Sequence, residues 1–256
     1  MRREQDPPPA PRRIVPRTKK MAAVDHIVLA DDRTALLARH HVSRETQERL
    51  DLFVALLLAW QTKTNLVANS TLAELWTRHI EDSLQLAALA PNVARWCDLG
   101  SGGGFPAIVL AIAQVGLPGA HVDLIESNDK KAAFLRAAIR ETGVAATVHA
   151  ARIEDCGPIL AKADAVSARA LASLDMLLGF VHGHIRPEIP CYFAKGGQHG
   201  EEIIDASRHW RFTLVKHASA TRADAAILEI RDIARQEAAA RLVQGLPAPG
   251  VVSTPK

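Results

Sequence analysis

The sequence predicts a doubly wound α/β domain, with a mostly parallel seven-stranded sheet and an N-terminal helical extension. Three observations carry this. After Pro91, short apolar strands alternate with helical stretches, as βαβ units do. A glycine-rich loop, Gly100-Ser101-Gly102-Gly103-Gly104, sits between the first of those strands and a helical run. Finally, Phe212 to Lys216 and Ala226 to Arg231 are strand-like runs with no room for a helix between them, so they should pair antiparallel.

Taken in order, residues 1–20 hold seven basic and two acidic side chains among several prolines, whereas the whole chain holds 31 basic and 28 acidic. That tail is too poor in apolar residues to fold and reads as a disordered extension, or as an overlong start ahead of Met21. The remaining chain carries a net −2, so a nucleic-acid footprint has to be local. Residues 21–92 form the helical extension. Leu50, Phe53, Val54, Leu57 and Leu58 give a helix from Ser43 to Trp60. Thr71 with Glu74 reads as a capping box opening a second helix through Leu72, Leu75, Trp76, Ile80 and Leu84.

Residues 93–232 form the main domain. Strands are predicted near 94–99, 121–126, 146–150, 163–168 and 189–194, and helices near 106–115, 129–141, 172–182 and 198–209. An Ala-rich helical piece and a Pro/Gly tail fill 233–256. The longest apolar runs, Leu52 to Trp60 and Phe105 to Ala113, are nine residues each, about half of a bilayer span. With no signal-type segment, and with Cys97, Cys156 and Cys191 odd in number and not at metal spacing, the expectation is a cytoplasmic protein with buried thiols and no metal.

The chemistry concentrates at Asp98-Leu99 and the glycines that follow. Strand, glycine loop and helix start, with Pro106 in the first turn, suit a nucleotide-like cofactor approached closely by backbone. A P-loop fails because no Lys-Ser or Lys-Thr follows the glycines. A dinucleotide site is harder to exclude, since Gly102, Gly104 and Ala107 fit the G-x-G-x-x-A variant. Asp98 argues against it: a carboxylate about 7 Å from a pyrophosphate costs roughly 2 kcal/mol per phosphate charge at an effective dielectric near 20. S-adenosyl-L-methionine, which carries a sulfonium and an ammonium, is attracted by the same aspartate. Glu126, closing the second strand, is placed for ribose hydroxyls, which fits NAD equally. Ile153 and Glu154, after the third strand, stand where a class I methyltransferase of this Rossmann-like architecture holds adenine.

Absences narrow the acceptor. Carbon methylation of pyrimidines needs a cysteine near the end of the fourth strand. That stretch reads Ser167-Ala168-Arg169-Ala170, without cysteine and without the Pro-Pro-aromatic signature for exocyclic amines. Arg169 is instead a planar cation able to stack on a base or bind a phosphate, or simply to pair with an acid such as Asp164.

Asn65-Leu66-Val67, Arg78-His79-Ile80-Glu81-Asp82-Ser83, Asp98 to Pro106, Ser167 to Ala170 and Ala194-Lys195-Gly196 together resemble the RsmG (GidB) family, over residues 40 to 231. Its members are bacterial methyltransferases acting on N7 of a guanosine in 16S ribosomal RNA. The resemblance implies that Gly100, Phe105, Ile153, Glu154 and Arg169 line the cofactor site, with Asp98 and Glu126 nearby; Gly102 and Gly104 are assigned to the cofactor as part of the glycine loop. It implies 16S RNA or the small ribosomal subunit as partner, and nothing marks an obligate protein partner. One departure stands out: Gly103 occupies a loop position where the family often has proline, and a looser turn is expected.

His79 and Asp82 share a helix face, where they could meet the cofactor loop or target base, or simply bond to each other. Lys195 ends the fifth strand, either meeting RNA phosphate or standing as a solvated charge. Lys130, Lys131, Arg136 and Arg140 read as an exposed face. Two other classes stay open: an NAD-dependent oxidoreductase using the same loop, and a non-catalytic RNA-binding assembly module.

Overall fold

The computed structural model describes residues 26–236. The basic Pro-rich stretch 1–20 and the expected tail beyond 236 lie outside the described residues. Among the described residues the helical extension begins one helix earlier than expected, with α1 (His26–Arg39) ahead of α2 (Arg44–Gln61). Ser43 caps α2 by accepting from the Thr46 amide, which places the start where the sequence put it.

The expected second helix is corrected. Thr71 is not a cap: it lies inside a 3-10 turn, Asn69–Glu74, and its hydroxyl donates to the Ala68 carbonyl. A π-helical turn, Trp76–Ile80, follows and leads into α3 (Glu81–Leu89). The cause is tertiary. Asp32 of α1 takes the Trp76 and Thr77 amides at 2.7 and 3.2 Å, supplying side-chain acceptors at the junction of the two irregular turns. Local spacing cannot reveal an acceptor more than forty residues away.

The sheet is β1 (Arg95–Leu99), β2 (His121–Ile125), β3 (Ala146–His149), β4 (Ala165–Arg169), β5 (Cys191–Lys195), β6 (Trp210–Ala218) and β7 (Ala226–Arg235). Their order is β3-β2-β1-β4-β5-β7-β6, with β1 to β5 parallel and β7 antiparallel to both β5 and β6. β7 runs through residues 233–235, where a helix was expected to begin. Crossovers are α4 (Ala107–Ala113), α5 (Asp129–Thr142), the short α6 (Gly157–Leu160), α7 (Leu174–Val181) and α8 (His199–Ala206). α6 and the 3-10 turn Ile153–Asp155 fill a connection for which the sequence suggested no helix.

Alternation along the strands divides the core. Trp96, Val122 and Leu124 face the layer of α1 to α5, where Phe53 and Trp60 pack against Phe134 at 6.2 and 5.8 Å. Cys97, Leu99, Ile125 and Val166 face the opposite layer with Leu177, Phe193 and Trp210. All three cysteines are buried thiols, and burial raises the pKa of each. Sheet order reverses between β1 and β4, the crevice where open α/β sheets bind ligands. Among the described residues no helix is long and apolar enough to cross a membrane.

Candidate functional site

At that reversal Asp98 of β1 and Ser167 of β4 stand in register and bond at 2.6 Å. Asp98 is 1% exposed and its second oxygen, Oδ2, has no partner. Desolvation pushes its pKa up to about 7, with the Ser167 hydroxyl working the other way and Glu126 adding a smaller like-charge push upward. A buried, half-satisfied carboxyl two residues before the glycine loop leaves one acceptor oxygen able to take a cation's hydrogen bond.

The loop itself is held by Glu126. Its Oε2 accepts from the Gly102 amide at 2.9 Å and its Oε1 from the Asn128 amide at 2.7 Å, so the carboxylate fixes the turn and the entry to α5 together. Gly100, Gly102 and Gly104 have φ of +64°, +51° and +85°, which glycine adopts without steric cost. A Cβ on Gly104 would stand 2.9 Å from Ile108. Gly103 needs glycine for another reason: a Cβ there would lie 2.8 Å from the Leu66 carbonyl oxygen. The turn is therefore closely packed against the Asn65-Leu66-Val67 segment, and the expectation of a looser loop is corrected.

Phe105 is buried, packed edge-on to Phe53 at 5.3 Å and tilted against His79 at 5.0 Å. Ile153 is buried in its 3-10 turn and Glu154 is exposed beside it. His79 does not bond to Asp82. Its Nε2 meets the Thr71 hydroxyl at 2.9 Å, and burial, with help from Arg169 and Arg78, lowers its pKa to about 3, so the imidazole is neutral.

Asp82 instead pairs with Arg169 at 3.2 Å and accepts from the Thr221 hydroxyl. Arg169 donates to the Arg78 carbonyl at 3.1 Å, while its Nη1 is buried without an acceptor. Asp164, its suggested partner, accepts the Arg95 amide. Burial lowers the Arg169 pKa, and the Asp82 charge opposes that.

Lys195 is neither solvated nor free for a phosphate. It is 9% exposed, and its Nζ donates to the Ala172 carbonyl at 2.5 Å and to Glu202 at 2.7 Å. Lys130, Arg136 and Arg140 are exposed as expected, and Lys131 is partly so.

Arg169, Asp82, Lys195 and Glu202 line a cavity of about 310 Å³ whose far wall is Ser219 and Arg222 at the tip of the β6–β7 hairpin. The tip is tied to α3 by Gln85, which donates to Ala218 and accepts from Ala220, and by the contact between Asp82 and Thr221. Sequence reasoning missed Glu202, Thr221, Arg222 and Leu171. Glu202 lies in the first turn of α8, where an acid is ordinary dipole chemistry. Thr221 and Arg222 sit in a turn, and no local pattern brings that turn to α3.

The family model described as rRNA small subunit methyltransferase G matches residues 46–231. A ribosomal RNA small subunit methyltransferase G of Nitrobacter hamburgensis is 48% identical over 209 residues, covering 81% of this chain and 80% of the relative. One from Bradyrhizobium sp. (strain ORS 278) is 50% identical over 212 residues, covering 81% and 94%. Among solved structures, the O-methyltransferase TomG from Streptomyces achromogenes in complex with SAM matches at 15% identity and TM-score 0.51, covering 82% of this chain and 99% of that one. The O-methyltransferase from Bacillus cereus in complex with SAH matches at 15% and TM-score 0.50, covering 80% and 98%. At such identities these likenesses show the fold.

Proposed function

The chain belongs to the rRNA small subunit methyltransferase G family, and we propose that it transfers the methyl group of S-adenosyl-L-methionine to N7 of a guanosine in 16S ribosomal RNA, acting in the cytoplasm. The observation that carries the reading is the buried Asp98 carboxyl with its unpartnered Oδ2 at the head of a glycine loop. It suits the cofactor's ammonium and opposes a pyrophosphate, which disfavours the NAD-dependent oxidoreductase.

The residues present fit this cofactor. Gly100 allows close backbone approach, Glu126 keeps lone pairs for ribose hydroxyls beyond its two backbone bonds, and Ile153 and Glu154, in the 3-10 turn that follows the third strand, are the residues for adenine. The orphaned Nη1 of Arg169 is a donor for the carboxylate at the methionine end. When bound, the cofactor supplies an electrophilic methyl on a sulfonium that departs as a neutral thioether.

Guanine N7 brings its own lone pair and has no proton to lose, so the site needs no general base. The residues agree with that. His79 is neutral, bonded to Thr71 and packed on Phe105, and Asp82 is committed to Arg169 and Thr221. The protein's contribution is to hold base and methyl in line, with the cavity between Arg169 and the hairpin tip as the place for an extruded base. Asp82 and Glu202 are the acids of that cavity wall, each already paired with a cation, Arg169 and Lys195.

The test uses small-subunit RNA treated with enzyme and cofactor. N7 methylation makes the ring open to borohydride reduction, after which aniline cleaves the chain at that nucleotide. Scission at one guanosine, absent from untreated RNA, is the expected result. Methyl incorporation without scission means another acceptor atom. Binding to small-subunit particles without incorporation means a non-catalytic assembly module.

A further inference from the structure

The turn from β4 into α7 lies across the glycine loop. Leu171 carries its side chain to the space above Gly100, so close that a Cβ built on that glycine would stand 2.5 Å from Leu171 Cδ1 and 3.1 Å from Cδ2. Ala170, just before it, has φ of +53°, a left-handed backbone that an alanine rarely adopts and that the surroundings must enforce. The enforcement is visible. Lys195 Nζ grips the Ala172 carbonyl at 2.5 Å, and Glu202 Oε2 accepts both Lys195 Nζ and the Leu174 amide at 2.7 Å. An ion pair between buried Lys195 and half-buried Glu202 thus holds the turn from two sides while Leu171 itself remains 36% exposed.

We propose that Leu171 is a gate over Gly100 and that Lys195 and Glu202 are positioning residues that latch it, so that cofactor entry requires the turn from 170 to 174 to give way. This rests on the cofactor placement at Gly100 argued above. Leu171 and the cofactor contend for one face of the loop, and the latched state withholds part of the affinity the open site would have. The latch also links the two ends of the site, because Lys195 and Glu202 line the cavity proposed for the base. An RNA entering that cavity acts on the same ion pair that holds the gate.

Calorimetric titration with S-adenosylhomocysteine tests this. Leu171→Ala should lower Kd on the order of tenfold. Lys195→Met and Glu202→Gln should lower it in the same direction, and Lys195→Arg, which keeps a cation and its donors, should return it toward the wild-type value. A purely structural pair would behave oppositely, since damage to the turn weakens binding. An unchanged or raised Kd in Leu171→Ala overturns the gate. Should a variant fold poorly, hydrogen exchange of the wild type serves instead: the amides from 171 to 174 should change their exchange on adding S-adenosylhomocysteine, and unaltered exchange overturns the gate. Failure of the wild type to bind at all overturns the cofactor placement and the gate with it; normal wild-type binding with no effect of Leu171→Ala overturns the gate alone.

Discussion

Asp98 and Ser167 face each other across β1 and β4 and share a 2.6 Å hydrogen bond at the point where the sheet changes direction. That bond satisfies one carboxyl oxygen and leaves the other buried and bare. The carboxyl titrates at about 7 in the fold, against an ordinary 3.8.

Between those two values the folded chain keeps a proton that the unfolded chain has lost. The group's contribution to stability is therefore complete at acid pH and drains away as pH rises to about 7. Asp98→Asn should gain stability relative to wild type as pH goes from 5 to 8, measured by urea melts. A cationic ligand reverses the preference, so cofactor binding near pH 6.5 should release protons, read by calorimetry in buffers of different ionisation enthalpy. Wild-type binding without proton release, or a pH-independent difference between the two proteins, would remove Asp98 from this role.

Glu126→Ala should weaken cofactor binding by about 1–3 kcal/mol, through lost charge-assisted bonds to ribose and freed loop amides. Glu126→Gln separates the two effects, because an amide oxygen still accepts the Gly102 amide while the ionic part is gone. Equal affinity in wild type and Glu126→Ala would take this residue out of the site.

Arg169→Ala should reduce methyl transfer on the order of a hundredfold, the equivalent of about 2.7 kcal/mol, by removing a charge-assisted donor. It also strands Asp82 beside Thr221, so melting temperature should fall. Adding Asp82→Asn should recover stability without recovering transfer. Lys130→Ala, on the exposed face of α5, should remain within about threefold, as surface changes do. Comparable mild losses from Arg169→Ala and Lys130→Ala would leave Arg169 as a structural partner of Asp82 alone.

Gly103→Ala should destabilise the fold by about 1–3 kcal/mol, since the added methyl meets the Leu66 carbonyl, a backbone group with little freedom to retreat. Thermal melts would show it. Neutral behaviour would mean that residues 65–67 can shift away from the loop.

Most strands were legible because their apolar runs are short and bounded by turn residues, and β6 and β7 because no helix fits between them. The glycine loop was legible as a tight turn through residue type alone: few other arrangements use four glycines behind an aspartate. What escaped depends on partners far along the chain. The π turn at Trp76 needs Asp32, the fate of Lys195 needs Ala172 and Glu202, and the position of Asp82 needs Thr221. A lysine at a strand end reads the same whether it points to water or into an ion pair.

The tether from α3 to the β6–β7 tip has a consequence for biosynthesis. Gln85 and Ala218 are separated by 133 residues, and Asp82 and Thr221 by 139. The wall that closes the cavity therefore arrives last from the translating ribosome, after the glycine loop and its supporting helices have already emerged. A chain released before residue 218 would carry the glycine loop and Arg169 but lack β7, the antiparallel partner of β5, and the hairpin wall of the cavity.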